Sequence, residues 1–180
     1  MCGIVGGIAQ RNVAPLLLEG LKRLEYRGYD SAGIAVVAKN GDLARERTAG
    51  KVARLEELIN ASGLDGTIGL GHTRRATPGK PSTYNAHPHI CRERVAIVHN
   101  GIIENHETLR KLQKTHEHHF TSDTDTEVIV HAIYDQLAAG QDLLSAVQET
   151  IKGLEGAYAV SYTHLRAHET LGSISYAVFC

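Results

Sequence analysis

The sequence predicts an α+β protein in which helices and strands form separate layers, rather than a doubly wound parallel sheet. The order of elements is the first reason, because several strand-like apolar runs precede two amphipathic helices and a further strand. The composition is the second reason, since 42% hydrophobic and 22% charged residues are usual for a globular domain. The length is the third: 180 residues can bury a core without disulfides or metals, and no Pro/Ser/Gly-rich linker divides them.

The N-terminal part of the chain contains most of the strand signals. Residues 2–9 form a short apolar run with three glycines, which predicts a buried strand. Asn12 is placed to cap a helix over residues 13–26, whose apolar stripe is Leu17, Leu21 and Leu24. Further strands are predicted at residues 32–38, 43–48, 67–72 and 95–99, with a hairpin turn at residues 39–42 and a short helix at residues 52–59.

Two amphipathic helices are predicted towards the C-terminal end. The motif TDTE at residues 124–127 has capping-box spacing from Ser122 or Thr124. The apolar stripe behind it consists of Val128, Ile129, Ala132, Ile133 and Leu137. Asp142 can cap the second helix, which Gly153 and Gly156 end. The apolar face of this helix is predicted to contain Leu144, Val147, Ile151 and Leu154.

Charge and cysteine content exclude several classes of function. The 19 basic and 20 acidic residues give a net charge of −1, which offers no electrostatic case for binding nucleic acid or an anionic membrane. No apolar run approaches the length of a membrane span, and residues 4–9 are too short for a signal-peptide core. Three cysteines without framework spacing predict a reducing, cytoplasmic compartment.

Cys2 is the residue with the most chemistry to offer. Methionine before a small residue is usually removed, and its removal would leave Cys2 with a thiol and a free α-amine. An unperturbed α-amine has a pKa of roughly 7.7–8.0, so it can take the proton of the thiol near neutral pH. The alternative is that Cys2 is an ordinary small apolar residue at the start of a strand.

Several motifs, in one order along residues 1–158, resemble the class II glutamine amidotransferases. MCGIVG at residues 1–6 opens the chain as in that family. LEYRGYDSAG at residues 24–33 is similar to the glucosamine-6-phosphate synthases (glutamine:fructose-6-phosphate amidotransferases) in particular. The remaining motifs are HTR at residues 72–74, NAHPH at residues 85–89, HNGIIEN at residues 99–105 and TDTE at residues 124–127.

The resemblance implies a four-layer αββα N-terminal-nucleophile hydrolase fold that is incomplete at the C-terminus. It also implies a reaction that needs neither a metal nor an organic cofactor. Cys2 would attack the side-chain amide of glutamine, with its α-amine as general base, and a γ-glutamyl thioester would form. Ammonia would leave, and water would release glutamate. Asn100 and Gly101 would form the oxyanion hole. Without the resemblance, this Asn-Gly pair predicts a type I′ turn after the strand at residues 95–99.

The resemblance also implies a set of substrate-binding residues. Arg74 would bind the α-carboxylate of glutamine and Asp125 its α-ammonium group. Thr77 would help to hold the substrate, Arg27 would order the Cys2 terminus, and His87 lies in the NAHPH motif. From the residues alone, Arg74 could be a surface residue and Asp125 a helix cap.

The substrate-loop motif departs from the family pattern. Residues 72–79 read HTRRATPG, where the family usually has HTRWATHG. Arg75 therefore replaces a tryptophan that gates the ammonia path, and Pro78 replaces a histidine. Because a hydrated cation replaces a large apolar plug, we expect glutamine hydrolysis to survive this change better than ammonia transfer.

Residues 159–180 resemble a sequencing adapter translated in frame. Codons of a library adapter can spell residues 160–170, codons of its flow-cell end can spell residues 174–180, and residues 171–173 would be a barcode. This predicts a partial glutaminase domain at residues 1–158, a non-biological tail and no isomerase domains. The alternative is a natural strand in which Tyr158, Val160 and Tyr162 alternate.

The remaining candidate metal ligands are not predicted to bind a metal ion. His116, His118 and His119 lie close together, but adjacent histidines cannot all face one ion, so this stretch is predicted to be solvated. Cys91 is predicted to be structural or at the surface. No metal site is therefore expected.

The expected activity is the hydrolysis of glutamine to glutamate and ammonia. It would supply ammonia for the synthesis of glucosamine 6-phosphate from fructose 6-phosphate in a cytoplasmic, homodimeric parent enzyme. The alternatives are the glutaminase domain of another class II amidotransferase and a catalytically inactive, glutamine-binding remnant.

Overall fold

The computed structural model describes residues 2–28, 30–75, 82–164 and 175–179. The strands are β1 (Gly3–Ile8), β2 (Ser31–Val37), β3 (Leu43–Ala49), β4 (Ile68–Arg74), β5 (His89–Cys91), β6 (Val95–Ile103), β7 (Gly156–His164) and β8 (Ser175–Phe179). The helices are α1 (Ala14–Leu24), α2 (Val52–Ser62), α3 (His106–Thr115), α4 (Thr126–Ala138) and α5 (Leu143–Lys152). A 3-10 turn over Glu25–Arg27 follows α1.

Two antiparallel sheets form the middle of the molecule, with strand orders β1-β4-β2-β3 and β5-β6-β7-β8. Helices α1 and α2 pack on the first sheet, while α4 packs on β5 and β6 of the second sheet. Helix α4 in turn contacts α3 and α5, and β4 contacts β6 and β7 between the sheets. The order of layers is therefore helices, sheet, sheet, helices, which confirms the αββα prediction.

Two apolar cores hold the helices on their sheets. The first contains the predicted stripe residues Leu17 and Leu21 of α1 with Leu55 of α2. The second contains Ile97 of β6 together with Ile129 of α4. Each such side chain contributes about 1.5–3 kcal/mol when it is fully buried, so these stripes fix the helices against the sheets. No described helix is long and apolar enough to cross a membrane.

The N-terminal elements agree closely with the sequence prediction. Asn12 accepts the Ala14 N–H at 2.9 Å, so it satisfies a free donor at the start of α1. The predicted hairpin turn joins β2 to β3, with Ala38 donating its N–H to the Asp42 carbonyl at 2.8 Å. Gly41 has φ +92° at this turn, a conformation that suits glycine.

The C-terminal helices correct two details of the prediction. Asp142 caps α5, as predicted, by accepting the Ser145 N–H at 3.1 Å. Leu144, however, is 52% exposed, because α5 turns the face that contains Leu143 and Val147 towards the core. No side chain caps α4 as a capping box would. Glu127 instead accepts backbone N–H groups of Thr121 and Ser122.

Candidate active site

A cavity of about 530 Å³ opens where the two sheets meet, at the end of β4 and the start of α4. Six separate parts of the chain contribute to its wall: the N-terminus, the 3-10 turn after α1, the end of β4, the segment before β5, the middle of β6 and the start of α4. The lining residues are Cys2, Arg27, Arg74, Arg75, His87, His99, Asn100, Gly101, Ile102, Thr124, Asp125 and Thr126.

Cys2 is half-buried in the wall of the cavity, immediately before β1. The register of β1 against β4 places Gly3 opposite Thr73, so Cys2 lies beside the end of β4. There the Arg75 N–H donates to Cys2 Sγ at 3.3 Å. A Cβ atom at Gly3 would lie 2.8 Å from Leu24 Cβ, so glycine allows the start of the chain to pack closely against α1.

Asn100 of β6 holds its side-chain amide beside Cys2. Its Nδ2 donates to the Cys2 carbonyl oxygen at 3.2 Å, and its Oδ1 lies 2.8 Å from His72 Nε2. His72 Nε2 is also 3.2 Å from the His99 carbonyl oxygen. Both of these neighbours are acceptors, so His72 Nε2 must carry the hydrogen. The His72 N–H therefore sets the orientation of the Asn100 amide.

Gly101 follows Asn100 within β6, where it is paired with Tyr158 of β7. Its φ is +140°, and a Cβ atom there would lie 2.3 Å from the Ala157 carbonyl oxygen. The type I′ turn predicted as an alternative is therefore wrong, because β6 continues through Ile103. Asn100 and Gly101 lie on an extended strand that passes the cavity.

Charged side chains of both signs line the cavity. Arg74 ends β4 and is only 6% exposed, so it is not the free surface residue considered as an alternative. Asp125 precedes α4, and its Oδ2 accepts the Ile103 N–H at 2.8 Å. Arg27 is exposed at the rim, and its Nε donates to the Tyr26 hydroxyl at 3.0 Å. Three arginines and one carboxylate around one space favour an anionic group with an adjacent cationic group.

His87 is held in place by the hydroxyl of Thr126. Thr126 Oγ1 lies 2.8 Å from His87 Nε2 and 2.9 Å from His99 Nδ1. A hydroxyl has one hydrogen and two lone pairs, so at least one of these two rings donates its N–H to Thr126 Oγ1. The ring of His72 is tilted by 54° against that of His87 and the ring of His89 meets it edge-on, with centroids 4.3 and 4.7 Å away.

Burial keeps these histidines uncharged. It lowers the pKa of His72 to about 4 and moves the pKa values of His87 and His89 in the same direction. Burial also lowers the pKa of His99, although Asp125 acts in the opposite direction. The 4.0 Å contact between His99 and Asp125 is therefore not an ion pair at neutral pH. The wall of the cavity beneath Cys2 is a neutral, hydrogen-bonded layer.

The cavity brings together most of the residues that the sequence motifs selected. Cys2, Arg27, Arg74, His87, Asn100, Gly101 and Asp125 all line it. Thr77 and Pro78 lie outside the described residues. Arg75 lines the cavity too, and its backbone rather than its side chain contacts Cys2 Sγ.

Two positioning side chains were missed by the sequence analysis. His72 and Thr126 were part of recognised motifs, HTR and TDTE, but neither was assigned a role. Their position inside those motifs was the signal that could have identified them as site residues. The interpretation of the His116–His119 stretch as solvated holds for His116 and His119, which are exposed, but is wrong for His118, which is buried.

Comparison with known proteins shows the family to which the chain belongs. A family model described as a glutamine amidotransferase domain matches residues 72–172, more than half of the chain. The chain belongs to the glutamine amidotransferase domain family. A structure of glutamine phosphoribosylpyrophosphate amidotransferase from B. subtilis, complexed with ADP and GMP, matches this domain with a TM-score of 0.72. It is 27% identical, and the match covers 91% of this chain and 34% of that chain.

Two sequence relatives of this glutamine amidotransferase domain carry the same name. The glutamine–fructose-6-phosphate aminotransferase (isomerizing) of Shewanella oneidensis is 55% identical over 171 residues, which cover 95% of this chain and 28% of that protein. The enzyme of the same name from Pseudomonas aeruginosa is 56% identical over 161 residues, covering 89% and 26%. The chain therefore spans little more than a quarter of the length of these relatives.

Proposed function

We propose that the chain hydrolyses L-glutamine to glutamate and ammonia, with Cys2 as the nucleophile. The supporting observation is the convergence on one cavity of the Cys2 thiol, the Asn100 amide and side chains of opposite charge, Arg74 and Asp125. No single motif predicts this arrangement, because its members come from distant parts of the chain. An amino acid with a side-chain amide matches all of these groups at once.

The first half of the reaction forms a thioester. After removal of Met1, the α-amine of Cys2 takes the thiol proton, and Sγ forms a bond to the amide carbon of glutamine. The carbonyl oxygen becomes an oxyanion, which accepts hydrogen bonds from Asn100 Nδ2 and the Gly101 N–H. Asn100 Nδ2 has two hydrogens, so it can keep its bond to the Cys2 carbonyl and still serve the oxyanion. The carbon–nitrogen bond then breaks, and the amine returns the proton to the departing ammonia.

The second half of the reaction consumes water. The free α-amine takes a proton from a water molecule, whose oxygen attacks the thioester carbon, and the same donors hold the second oxyanion. The carbon–sulfur bond then breaks, the α-amine returns the proton to Cys2 Sγ, and glutamate leaves with a new carbon–oxygen bond. Glutamine and water are consumed, glutamate and ammonia are produced, and no redox step is involved.

Arg74 and Asp125 would select the amino-acid end of the substrate. The guanidinium of Arg74 offers parallel donors that fit an α-carboxylate. Asp125 uses Oδ2 to accept the Ile103 N–H, which fixes the carboxylate. Oδ1 remains in position to accept from an α-ammonium group. Arg27 and His87 would complete the substrate site from the rim and the floor of the cavity, and Thr77 belongs to the same proposal.

An assay of glutamate release tests the proposal. We expect Cys2→Ala to abolish glutaminase activity and Cys180→Ala to retain it, because Cys180 lies outside the glutaminase segment predicted at residues 1–158. The Cys180 variant is the matched control for loss of a thiol. Equal activity of the wild-type chain and Cys2→Ala would refute the assignment of the nucleophile.

We further propose that the longer protein to which this chain corresponds transfers the ammonia to fructose 6-phosphate and forms glucosamine 6-phosphate. The name shared by the sequence relatives supports this proposal. A homodimeric enzyme in the cytoplasm, working without metal or organic cofactor in this reaction, belongs to the same proposal. Assay of a full-length gene product for glucosamine 6-phosphate tests it, and formation of a different aminated product would contradict it.

We also propose that the glutaminase segment ends near residue 158 and that residues 159–180 are of adapter origin. The resemblance of the codons supports this proposal. The pairing of Ala159–His164 with β6 and the family match that extends to residue 172 are what the alternative, a natural strand, would produce. Sequencing of the locus from independent DNA decides between them, since recovery of the same codons would refute the adapter origin.

A further inference from the structure

A second group of side chains with metal-ligand atoms lies between the second sheet and α4, away from the cavity. Cys91 ends β5, His118 lies in the segment between α3 and α4, and His131 and Asp135 lie on α4. We call these four residues the Cys-His cluster. One ligand-type atom from each of Cys91, His118 and His131 lies within 4.8 Å of the other two.

Three members of the Cys-His cluster are buried, and Asp135 lies nearer the surface. Cys91, His118 and His131 are 2%, 6% and 4% exposed, whereas the side chain of Asp135 is 38% exposed. The rings of His118 and His131 are 4.4 Å apart, and Phe120 packs edge-on against His131 at 4.7 Å. Polar groups at such a position must be paired, because an unpaired buried polar group costs several kcal/mol.

Hydrogen bonds within the cluster satisfy only part of this requirement. His131 Nδ1 lies 3.1 Å from Cys91 Sγ, and His118 Nε2 donates to Asp135 Oδ1 at 2.7 Å. The remaining ring nitrogen of His131, Nε2, has no hydrogen-bond partner. The Cys91–His131 pair and the His118–Asp135 pair therefore leave one buried polar atom, His131 Nε2, without a hydrogen bond. Apolar residues could fill the same space without this cost.

We propose that the Cys-His cluster is a structural binding site for Zn²⁺. A thiolate, two imidazoles and a carboxylate are ligands that Zn²⁺ accepts in tetrahedral geometry, and the resulting site is electrically neutral. Ideal bond lengths would place sulfur and nitrogen about 3.6 Å apart, about half an ångström more than in the present hydrogen bond. Replacing the proton shared by Cys91 and His131 with the ion would need this opening between Sγ and Nδ1.

The surroundings of the Cys-His cluster fit an ion site in two further ways. His118 lines a surface groove of about 540 Å³, which gives the ion a route from solvent. Glu127 lies 3.9 Å from His131 Nε2, so it can face the N–H of a ring that binds the ion through Nδ1. A carboxylate behind a ligating histidine is the usual outer partner of such a ligand.

The position of the Cys-His cluster indicates what the ion would do. It would join β5, α4 and the segment that leads from α3 to α4. Asp125 and Thr126, which line the cavity, are at the opposite end of α4 from Asp135. Zn²⁺ would therefore stabilise the helix that presents these residues, without touching substrate.

Titration with Zn²⁺ and Co²⁺ tests the site, and a Cys2→Ala background removes the N-terminal thiol as a competing ligand. We expect one equivalent of Zn²⁺ to bind and to raise the Tm, and Co²⁺ to give a thiolate charge-transfer band with tetrahedral visible bands. Cys91→Ser and His118→Gln should weaken binding by at least about a hundredfold, more than the loss of an outer partner would. His119→Gln is the matched control, since this exposed neighbour should leave binding unchanged.

The variants separate an ion site from a hydrogen-bonded core. If the cluster were only the latter, Zn²⁺ would not raise the Tm, and Cys91→Ser would bind Zn²⁺ as well as its parent. Either result, in samples shown to be folded by circular dichroism, overturns the proposal. The test is independent of the proposed glutaminase activity, because the nucleophile is already absent from the background.

Discussion

The contact between His72 and Asn100 shows how one buried residue can set the orientation of a neighbouring catalytic side chain. Asn100 could rotate its amide by half a turn and present oxygen rather than nitrogen to Cys2. The His72 Nε2–H, shared between Asn100 Oδ1 and the His99 carbonyl, opposes this rotation. Since burial lowers the pKa of His72 to about 4, the ring stays neutral and keeps one donor at Nε2 over the working pH range.

Removal of this donor should affect the chemical step more than substrate binding. We predict that His72→Leu lowers kcat for glutamine hydrolysis by about tenfold or more, less than the hundredfold or greater loss typical of deleting an oxyanion donor. KM should change little. His72→Gln, whose amide can donate from a similar position, should recover most of kcat. A rise in KM at constant kcat, or equal loss in both variants, would contradict the positioning role.

At the scale of elements, β6 determines the geometry of the site. The strand continues through Asn100 and Gly101 because β7 pairs with it along nine residues. Gly101 lies at φ +140° with the Ala157 carbonyl directly beside it. Glycine is therefore required here by both conformation and space, as it is at Gly156, whereas Gly41, Gly50, Gly63 and Gly140 have a positive φ but open space around them.

A pair of substitutions separates these two requirements. Gly140 has φ +92°, but a Cβ atom added there would have no neighbour within 4 Å, so Gly140→Ala should cost about 1 kcal/mol of conformational strain. Gly101→Ala adds a collision with backbone, and we predict a loss of at least about 3 kcal/mol, enough to part β6 from β7. Urea unfolding of the two variants measures the difference. Equal losses would show that β7 can move away from Gly101 at little cost.

The elements also show which features local patterns can predict. The hairpin between β2 and β3 and the stripe of α1 depend on turn residues and periodicity, so both are predictable nearly to the residue. The extension of β6 depends on β7, which is distant in sequence, and the same Asn-Gly pair reads locally as a turn. His118 is similar: its neighbours in sequence are exposed, and only the packing of α4 shows that it is buried.

At the scale of the whole molecule, the two sheets meet over a layer of buried histidines. His72, His87, His89 and His99 come from four positions on β4, β5, β6 and the segment before β5, and all are at most 4% exposed. Motif resemblance identified His87 but could not show that the four rings form one layer. Their shared burial lowers each pKa, so the junction between the sheets should respond to acid as one unit.

Stability should therefore fall on mild acidification. Unfolded histidines bind protons below about pH 6.5, whereas His72 in the folded chain binds one only near pH 4, so protons favour the unfolded state in this interval. His72 alone should lower the free energy of unfolding by about 2 kcal/mol at about pH 5, and the other three act in the same direction. Asp125, which raises the pKa of His99, offsets this loss of stability only in part.

Urea unfolding between about pH 7 and pH 5 measures this dependence. His72→Gln should show a shallower loss of stability, while His116→Gln, at an exposed position, should behave as the wild-type chain. An unfolding midpoint that does not change over this interval would mean that the histidine layer is accessible to protons in the folded state.

The proposed role of Cys2, a nucleophile in a site that recognises glutamine, is tested most directly by covalent labelling. The purified chain is exposed to the glutamine-like electrophile 6-diazo-5-oxo-norleucine, and its intact mass and labelled peptide are recorded. We predict loss of Met1 and a single adduct on Cys2, prevented by excess glutamine and unaffected by Cys180→Ala. A folded chain that has lost Met1 but takes no adduct, or takes it on another residue, would contradict this role.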